Sequence, residues 1–115
     1  MRTLLIAVNS KYIHTSLGIR SIQGFCKEKG FDIELCEETI QTPLLAALAE
    51  ITSYNPDIIG IDVHIWNKNY VYSLASLIRK VCPEIIIVLG GPEVSFAAEA
   101  VFVECPDVNF IIQGE

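Results

Sequence analysis

The chain has 115 residues, 51% of them hydrophobic and 19% charged, with a formal net charge of −6. This composition excludes a disordered tail and fits one domain, residues 1–115, with one core. The acidic balance argues against binding to nucleic acid or to an anionic membrane surface, since both need clustered Lys and Arg. No apolar run approaches the ~20 residues of a membrane-spanning helix, and the N-terminus lacks the features of a signal peptide, so a cytoplasmic location is expected.

Short apolar runs alternate along the chain with segments of helical periodicity. Continuous runs predict strands over residues 3–8, 58–63, 85–89 and 108–112, and an alternating run predicts a further strand over residues 32–36. Continuous runs of β-branched residues are typical of parallel strands that are buried on both faces.

Four helices are predicted between these strands, each with its own start or stop signal. The first covers residues 16–29 and stops at Gly30, and the second follows an N-cap at Thr42. The third is capped by Asn67 or Asn69, and the fourth covers residues 96–104 after a cap at Ser95. Strands that alternate with helices of this length predict an α/β fold with a parallel sheet.

The order of elements favours a three-layer flavodoxin-like (Rossmann-like) fold with a five-stranded parallel sheet in the order 2-1-3-4-5. In such a sheet a ligand binds where the strand order reverses, which places the loops of residues 9–15 and 64–67 at the expected crevice. The final helix of the fold is lacking, so one sheet face is expected to be half covered. We therefore expect the chain to be a fragment of a longer protein, or to be completed by a partner or by a homodimer through this face.

Several ligand classes are excluded by the sequence of the loops. There is no G-x-x-x-x-G-K-[ST] motif and no G-x-G-x-x-G motif, and the loop after the first strand is bulkier than the phosphate loop of a flavodoxin. A receiver domain is disfavoured because the first strand ends in Asn9, and because Asp62 is followed by Val63 and His64. The four cysteines are separated by 10, 46 and 23 residues, which predicts free, partly buried thiols.

The chemically distinctive residues of the chain fall at the predicted crevice. His14 and His64, the only two histidines, and Trp66, the only tryptophan, lie in the loops after the first and third strands. The fourth strand ends in Gly90-Gly91, where the absence of Cβ atoms lets the backbone approach a ligand closely. An aromatic ring and imidazoles beside a crevice suit a large planar cofactor.

These segments together resemble a known family. The stretches that carry the resemblance are residues 4–14, 56–61, 64–67, 87–95 and 107–115, of which the Gly-Gly-Pro turn and the closing Ile-Ile-x-Gly-Glu are the most specific. They are similar to the N-terminal cobalamin (vitamin B12)-binding domain of cobalamin-dependent radical SAM enzymes. The resemblance covers essentially the whole chain and implies the flavodoxin-like fold.

The resemblance also implies a set of contacts and partners. Cobalamin is the implied cofactor, and a radical SAM domain of the parent chain is the implied partner. S-adenosylmethionine and a [4Fe-4S] cluster belong to that missing domain, so the chain is not catalytic alone. The implied cofactor-binding residues are Ser10, Lys11, Tyr12, His14, Thr15, Ser16, Val63, His64, Trp66, Asn67, Gly90, Gly91, Pro92 and Glu93.

His14 is the candidate metal ligand, to cobalt, by similarity to the Asp-x-His-x-x-Gly motif of methionine-synthase-type domains. The sequence departs from that motif, because Tyr12 occupies the Asp position and Gly18 comes one residue late. No acidic side chain occurs between Met1 and Glu28, and a metal-bound imidazole normally donates its other N–H to a carboxylate or carbonyl.

Two other functions are compatible with the residues. One is a flavodoxin-like interaction domain without cofactor that docks through the uncovered face of the first helix. The other is a small α/β enzyme with His14 or His64 as general base, although no nucleophile or acid at a suitable spacing supports it.

Overall fold

Five strands and four helices alternate along the chain, as predicted. The computed structural model describes residues 2–10, 17–31, 33–95 and 98–113. The elements are β1 Thr3–Asn9, α1 Leu17–Glu28, β2 Ile33–Thr39, α2 Leu44–Ser53, β3 Ile58–Asp62, α3 Lys68–Val81, β4 Ile86–Gly90, α4 Ala98–Glu104 and β5 Phe110–Ile111. In the part of the chain described, no helix has both the length and the apolar character needed to cross a membrane.

The five strands form one sheet in the order β2-β1-β3-β4-β5, with every neighbouring pair parallel. This confirms the predicted flavodoxin-like topology. The chain leaves β1 to one side to form β2 and returns on the other side to form β3, so the strand order reverses between β1 and β3. Because the strands are parallel, β1, β3 and β4 all end at the same edge of the sheet, here called the carboxyl edge.

The main core lies between the sheet and the helices α2, α3 and α4. Alternate residues of β1, β3 and β4 point into it, together with one apolar stripe from each helix, and burying each such Leu or Ile side chain is worth ~1.5–3 kcal/mol. Its fully buried members include Leu4, Ile6, Ile51, Ile59, Leu74, Ile78, Ile87 and Leu89.

The opposite face of the sheet is covered over β1 and β2 and open over the other strands. Beside α1, Leu5 and Ala7 form a small second cluster. The next residues across the same face are half-buried or exposed, and together they define the open face: Ile58, Gly60, Ile86, Val88, Phe110 and Ile112. Phe110 and Ile112 are 60% and 56% exposed. The half-covered face predicted from the element order is therefore present among the described residues.

The predicted end of the first helix is confirmed in atomic detail. Gly30 has φ +88°. Its N–H donates to the Lys27 carbonyl, and the Phe31 N–H donates to the Cys26 carbonyl. This pair of bonds is the Schellman arrangement, in which a left-handed residue closes the helix and satisfies its last carbonyl groups. Glycine adopts that conformation without a Cβ penalty.

One predicted cap was wrong, and another has the predicted position without a side-chain capping bond. The N-cap position of α2 is Pro43, not Thr42, because the Thr42 hydroxyl accepts a bond from the Thr39 N–H instead. Asn67 does occupy the N-cap position of α3, but its side chain makes no capping bond and is used within the loop before the helix. Ser95 donates from its hydroxyl to the Gly91 carbonyl, and the start of the fourth predicted helix at residues 96–97 lies outside the described residues.

The strand ends also differ from the predicted ones. β2 extends to Thr39, because its pairing with β1 continues to Asn9. β3 ends at Asp62, one residue before the predicted end at Val63, while β4 runs one residue further, to Gly90. β5 is reduced to two residues, since only Phe110 and Ile111 pair with β4.

Candidate functional site at the carboxyl edge of the sheet

The loops after β3 and β4 are joined by backbone hydrogen bonds at the carboxyl edge. The Val63 N–H donates to the Gly90 carbonyl over 2.8 Å, and the Glu93 N–H donates to the Val63 carbonyl over 3.2 Å. Val63 is fully buried. The two segments that the sequence analysis singled out separately, residues 63–67 and 90–93, therefore form one continuous surface.

Asn67 holds the loop after β3 in place. Its side-chain amide donates to the carbonyls of Val8, 3.0 Å away, and Asp62, 3.2 Å away, and its Oδ1 accepts from the His64 N–H over 2.7 Å. The residue is 1% exposed. Asn67 thus ties the end of β1 to the loop that carries the aromatic residues, and its structural role is to fix the shape of that loop.

A histidine, a carboxylate and a tryptophan form a compact group on this loop. The His64 Nε2 lies 2.8 Å from the Asp62 Oδ2. The imidazole stacks on the Trp66 indole, with ring centroids 4.9 Å apart and planes 6° from parallel. The arrangement lies near solvent, since Trp66 is 45% exposed and the neighbouring Ile65 is 80% exposed. The group offers an apolar aromatic surface with one oriented imidazole.

The two glycines after β4 have different structural requirements. Gly91 has φ +99°, and a Cβ there would collide with the Asp62 carboxylate and lie 2.7 Å from the Val63 carbonyl oxygen. A Cβ on Gly90 would meet nothing closer than Ile112, at 3.9 Å. Gly91 is therefore needed for packing against β3, whereas Gly90 leaves open space beside the edge.

The acidic residue of the Gly-Gly-Pro-Glu turn is paired. Lys68, the first residue of α3, places its Nζ 3.8 Å from the Glu93 carboxylate and 3.3 Å from the Glu104 carboxylate. Pro92 is exposed. Lys68 therefore offsets part of the negative charge that Glu93 brings to the turn.

The structure brings together most of the predicted site residues that it describes. His64, Trp66 and the turn of residues 90–93 lie on one surface, Asn67 is buried within the same loop, and Ser10 follows directly after β1 at the same edge. Lys11, Tyr12, His14, Thr15 and Ser16 lie outside the described residues. The sequence analysis used Asp62 only in the argument against a receiver domain and missed it as the partner of His64, although the Asp-x-His spacing after an apolar run was visible.

A separate group of potential metal ligands lies on the core side of β2 and α2. Ligand atoms of Cys36, Glu38 and Glu50 all fall within 4.8 Å of one another, the single such group of three among the described residues. Burial, reinforced by the Glu50 carboxyl, raises the pKa of Glu38 to about 7, and burial raises the pKa of the Cys36 thiol above its usual range. All four cysteines are free thiols, as predicted.

Comparison with known proteins identifies the class to which this fold and edge belong. The family model of the B12-binding domain matches residues 3–115. The chain therefore belongs to the B12-binding domain family, whose cofactor is cobalamin, as the sequence resemblance implied.

Particular relatives extend this result. The chain is 25% identical over 100 residues to the uncharacterized methyltransferase PH0819 of Pyrococcus horikoshii, a match that covers 86% of this chain and 22% of the relative. The structure is similar to that of OxsB, a cobalamin-dependent S-adenosylmethionine radical enzyme with aqua-cobalamin and S-adenosylmethionine bound. That match has a TM-score of 0.77 and 21% identity, and it covers 96% of this chain and 16% of OxsB.

A third similarity is to a cobalamin-binding protein from Desulfitobacterium hafniense DCB-2. Its TM-score is 0.70 at 13% identity, over 96% of this chain and 52% of that one. At this identity, as with OxsB, the likeness shows the fold. The chain spans about a fifth of the curated methyltransferase that it matches.

Proposed function

We propose that this chain is a cobalamin-binding module that holds the corrin ring at the carboxyl edge of its sheet and presents it to a radical SAM catalytic domain outside this chain. The observation that carries the proposal is the single surface formed by residues 62–67 and 90–93 beside the point where the strand order reverses. In open α/β sheets this is where ligands bind.

The chemistry of this surface fits a large, flat ring system. Ile65 and Trp66 expose apolar surface at the edge, Gly90 leaves space for the close approach of a ligand, and the Glu93 carboxylate is paired with Lys68. When bound, cobalamin supplies the cobalt chemistry, while the residues of this chain bind and orient the ring. Ser10, the residues of the 11–16 loop named above, and residues 63–67 and 90–93 remain the predicted contacts.

The partner domain is proposed from the relatives. OxsB is a radical SAM enzyme of which the chain covers 16%, and PH0819 is named a methyltransferase. The cysteines of this chain are at least 10 residues apart, so they do not form the Cys-x-x-x-Cys-x-x-Cys motif of an iron–sulfur cluster. S-adenosylmethionine and the [4Fe-4S] cluster are therefore assigned to the partner domain.

The exposed apolar residues favour a second candidate function, an interaction domain without cofactor. Phe25, within α1, is 60% exposed, and Phe31, just after α1, is 66% exposed. Both lie on the same side of the sheet as the open face. Such surface is typical of docking sites. A second copy of the chain, in a homodimer, is the simplest partner for this alternative.

Titration of the purified chain with hydroxocobalamin tests the proposal. Because Trp66 is the only tryptophan and lies at the proposed site, bound corrin should quench its fluorescence in a saturable way, with a Kd of tens of micromolar or tighter. Size-exclusion chromatography reports any homodimer in the same sample.

A pair of matched variants locates the binding surface. Ile65→Glu places a charge on the exposed apolar edge and should weaken binding about tenfold or more, a loss of ~1.4 kcal/mol. Val81→Glu, at a residue 57% exposed at the far end of α3, should leave Kd unchanged. No saturable quenching at tens of micromolar would refute cofactor binding, and a cofactor-free dimer would support the interaction domain.

A further inference from the structure

A thiol and two carboxyl groups meet between β2 and α2. Cys36 and Glu38 are two residues apart in β2, so both side chains point to the same face of the sheet. Cys36 is 1% exposed and Glu38 is 7% exposed. Glu50 joins them from α2, and ligand atoms of all three lie within 4.8 Å of one another. Two elements of the fold therefore bring one soft and two hard ligands to a single point.

This group has no positively charged partner in the described part of the chain, where no Lys or Arg forms an ion pair with any of the three residues. A buried carboxylate without a counter-charge is costly, so it either keeps a proton or takes up a cation. Burial, reinforced by the Glu50 carboxyl, raises the pKa of both the Cys36 thiol and the Glu38 carboxyl above their usual ranges. Protons therefore compensate the charge when no cation is bound, and a divalent cation would replace them.

The spacing of the two buried ligands fits a tetrahedral zinc ion. With a Zn–S bond of ~2.3 Å and a Zn–O bond of ~2.0 Å, tetrahedral angles place a sulfur and an oxygen ligand ~3.5 Å apart. The Cys36 Sγ lies 3.5 Å from the Glu38 Oε2. A thiolate among the ligands favours zinc over Mg²⁺ and Ca²⁺, which take oxygen ligands. The donor set and its geometry thus indicate the same ion.

The ligands are also oriented and accessible. The Thr42 side chain hydrogen-bonds the Glu38 carboxyl, and Thr42 is itself held by the Thr39 N–H, which donates to its hydroxyl, and by the Tyr70 hydroxyl, which donates to its carbonyl. Outer hydrogen bonds of this kind orient the ligands of metal sites. The Glu50 side chain is exposed, so an ion can enter from solvent along its carboxylate.

We propose that Cys36, Glu38 and Glu50 bind a zinc ion, with water in the fourth position. Binding is a ligand exchange without oxidation or reduction. The Cys36 thiol and the Glu38 carboxyl each release a proton to solvent, the sulfur and the carboxylate oxygens form bonds to zinc, and water molecules leave the hydrated ion. The ion joins the edge strand β2 to α2, so zinc should stabilise the fold.

Titration of the purified, tag-free and reduced chain with cobalt(II) chloride tests the proposal. Cobalt(II) substitutes for zinc and reports its ligands by absorption. We expect the strong visible bands of tetrahedral cobalt(II) together with a near-ultraviolet charge-transfer band from the thiolate. An equimolar amount of zinc chloride should remove both sets of bands, and zinc should raise the melting temperature of the chain.

Matched variants identify the ligands. Cys36→Ser should abolish the charge-transfer band, whereas Cys105→Ser, at a thiol that is also buried, should retain it. Glu50→Gln should weaken zinc binding about tenfold or more, whereas Glu84→Gln should leave Kd unchanged. Both glutamates are exposed, so these two variants should fold normally, which far-ultraviolet circular dichroism checks.

Three outcomes would overturn the proposal. The first is the absence of tetrahedral cobalt(II) bands in the unsubstituted chain, and the second is a charge-transfer band that survives in Cys36→Ser. The third is equal weakening by Glu50→Gln and Glu84→Gln, which would show binding to surface carboxylates alone. Cobalamin binding is measured separately by Trp66 quenching, so failure of either proposal leaves the other standing.

Discussion

Replacing Asn67 by alanine removes three hydrogen bonds at the point where the loop after β3 meets the end of β1. The bonds are 2.7, 3.0 and 3.2 Å long and join residues as far apart in sequence as 59 positions. Each is worth ~1 kcal/mol net, so their loss costs ~3 kcal/mol of unfolding free energy. The cost grows if the carbonyl of the buried Val8 is left without a partner.

The expected shift in melting temperature follows from the size of the chain. At ~2.1 cal/mol/K per residue, 115 residues have an unfolding entropy of ~0.24 kcal/mol/K, so the Tm should fall by ~12 °C. Urea denaturation followed by far-ultraviolet circular dichroism measures the free energy without relying on Trp66. Asn69→Ala, an exposed residue of the same helix, is the control.

The result that would refute this reasoning is specific. If Asn67→Ala lost less than ~1 kcal/mol, or no more than Asn69→Ala, the three bonds would not be stabilising the loop. A loss of stability with unchanged cobalamin affinity would show that the loop keeps its shape without them.

Three further predictions concern the turn after β4, the buried carboxyl and the entry to β4 and β5. Gly91→Ala, at φ +99° and in contact with β3, should destabilise the fold, whereas Gly90→Ala should leave stability unchanged and weaken cobalamin binding, because its Cβ fills the space beside the edge; equal losses of stability in urea denaturation would contradict this. The pKa of Glu38 is raised to about 7 in the folded state, so the contribution of this carboxyl to stability is complete below its unfolded pKa of 4.5 and is lost as pH rises through 7. Glu38→Gln should therefore flatten the fall in the urea denaturation midpoint between pH 5 and pH 8. An unchanged slope would contradict this prediction. The Arg79 side chain donates hydrogen bonds to four backbone and side-chain oxygens. Arg79→Ala should therefore lower the free energy of unfolding by ~2–4 kcal/mol, while Lys80→Ala on the exposed side of the same helix should lower it by less than ~0.5 kcal/mol. Similar losses in thermal or urea unfolding would show that water satisfies these oxygens instead.

The sequence by itself determined the succession of elements and, through it, the topology. Continuous runs such as Ile58-Ile59-Gly60-Ile61 and the stop at Gly30 are local signals, because they depend on side-chain periodicity and on the conformational preference of single residues. Once strands and helices alternate, right-handed crossovers leave few arrangements of a parallel sheet. The location of the candidate site at the carboxyl edge followed from that topology.

The tertiary structure alone decided how the edge is built. The sequence contains Asp62, His64 and Asn67, but their bonds depend on the path of the loop and on the end of β1, which is 59 residues from Asn67. The strand ends and the α2 cap were wrong for the same reason, since strand pairing and long-range hydrogen bonds override local preferences. Which residues form the open face was likewise set by the register of β3, β4 and β5, because neighbouring residues across a sheet share a face only once the strands are paired.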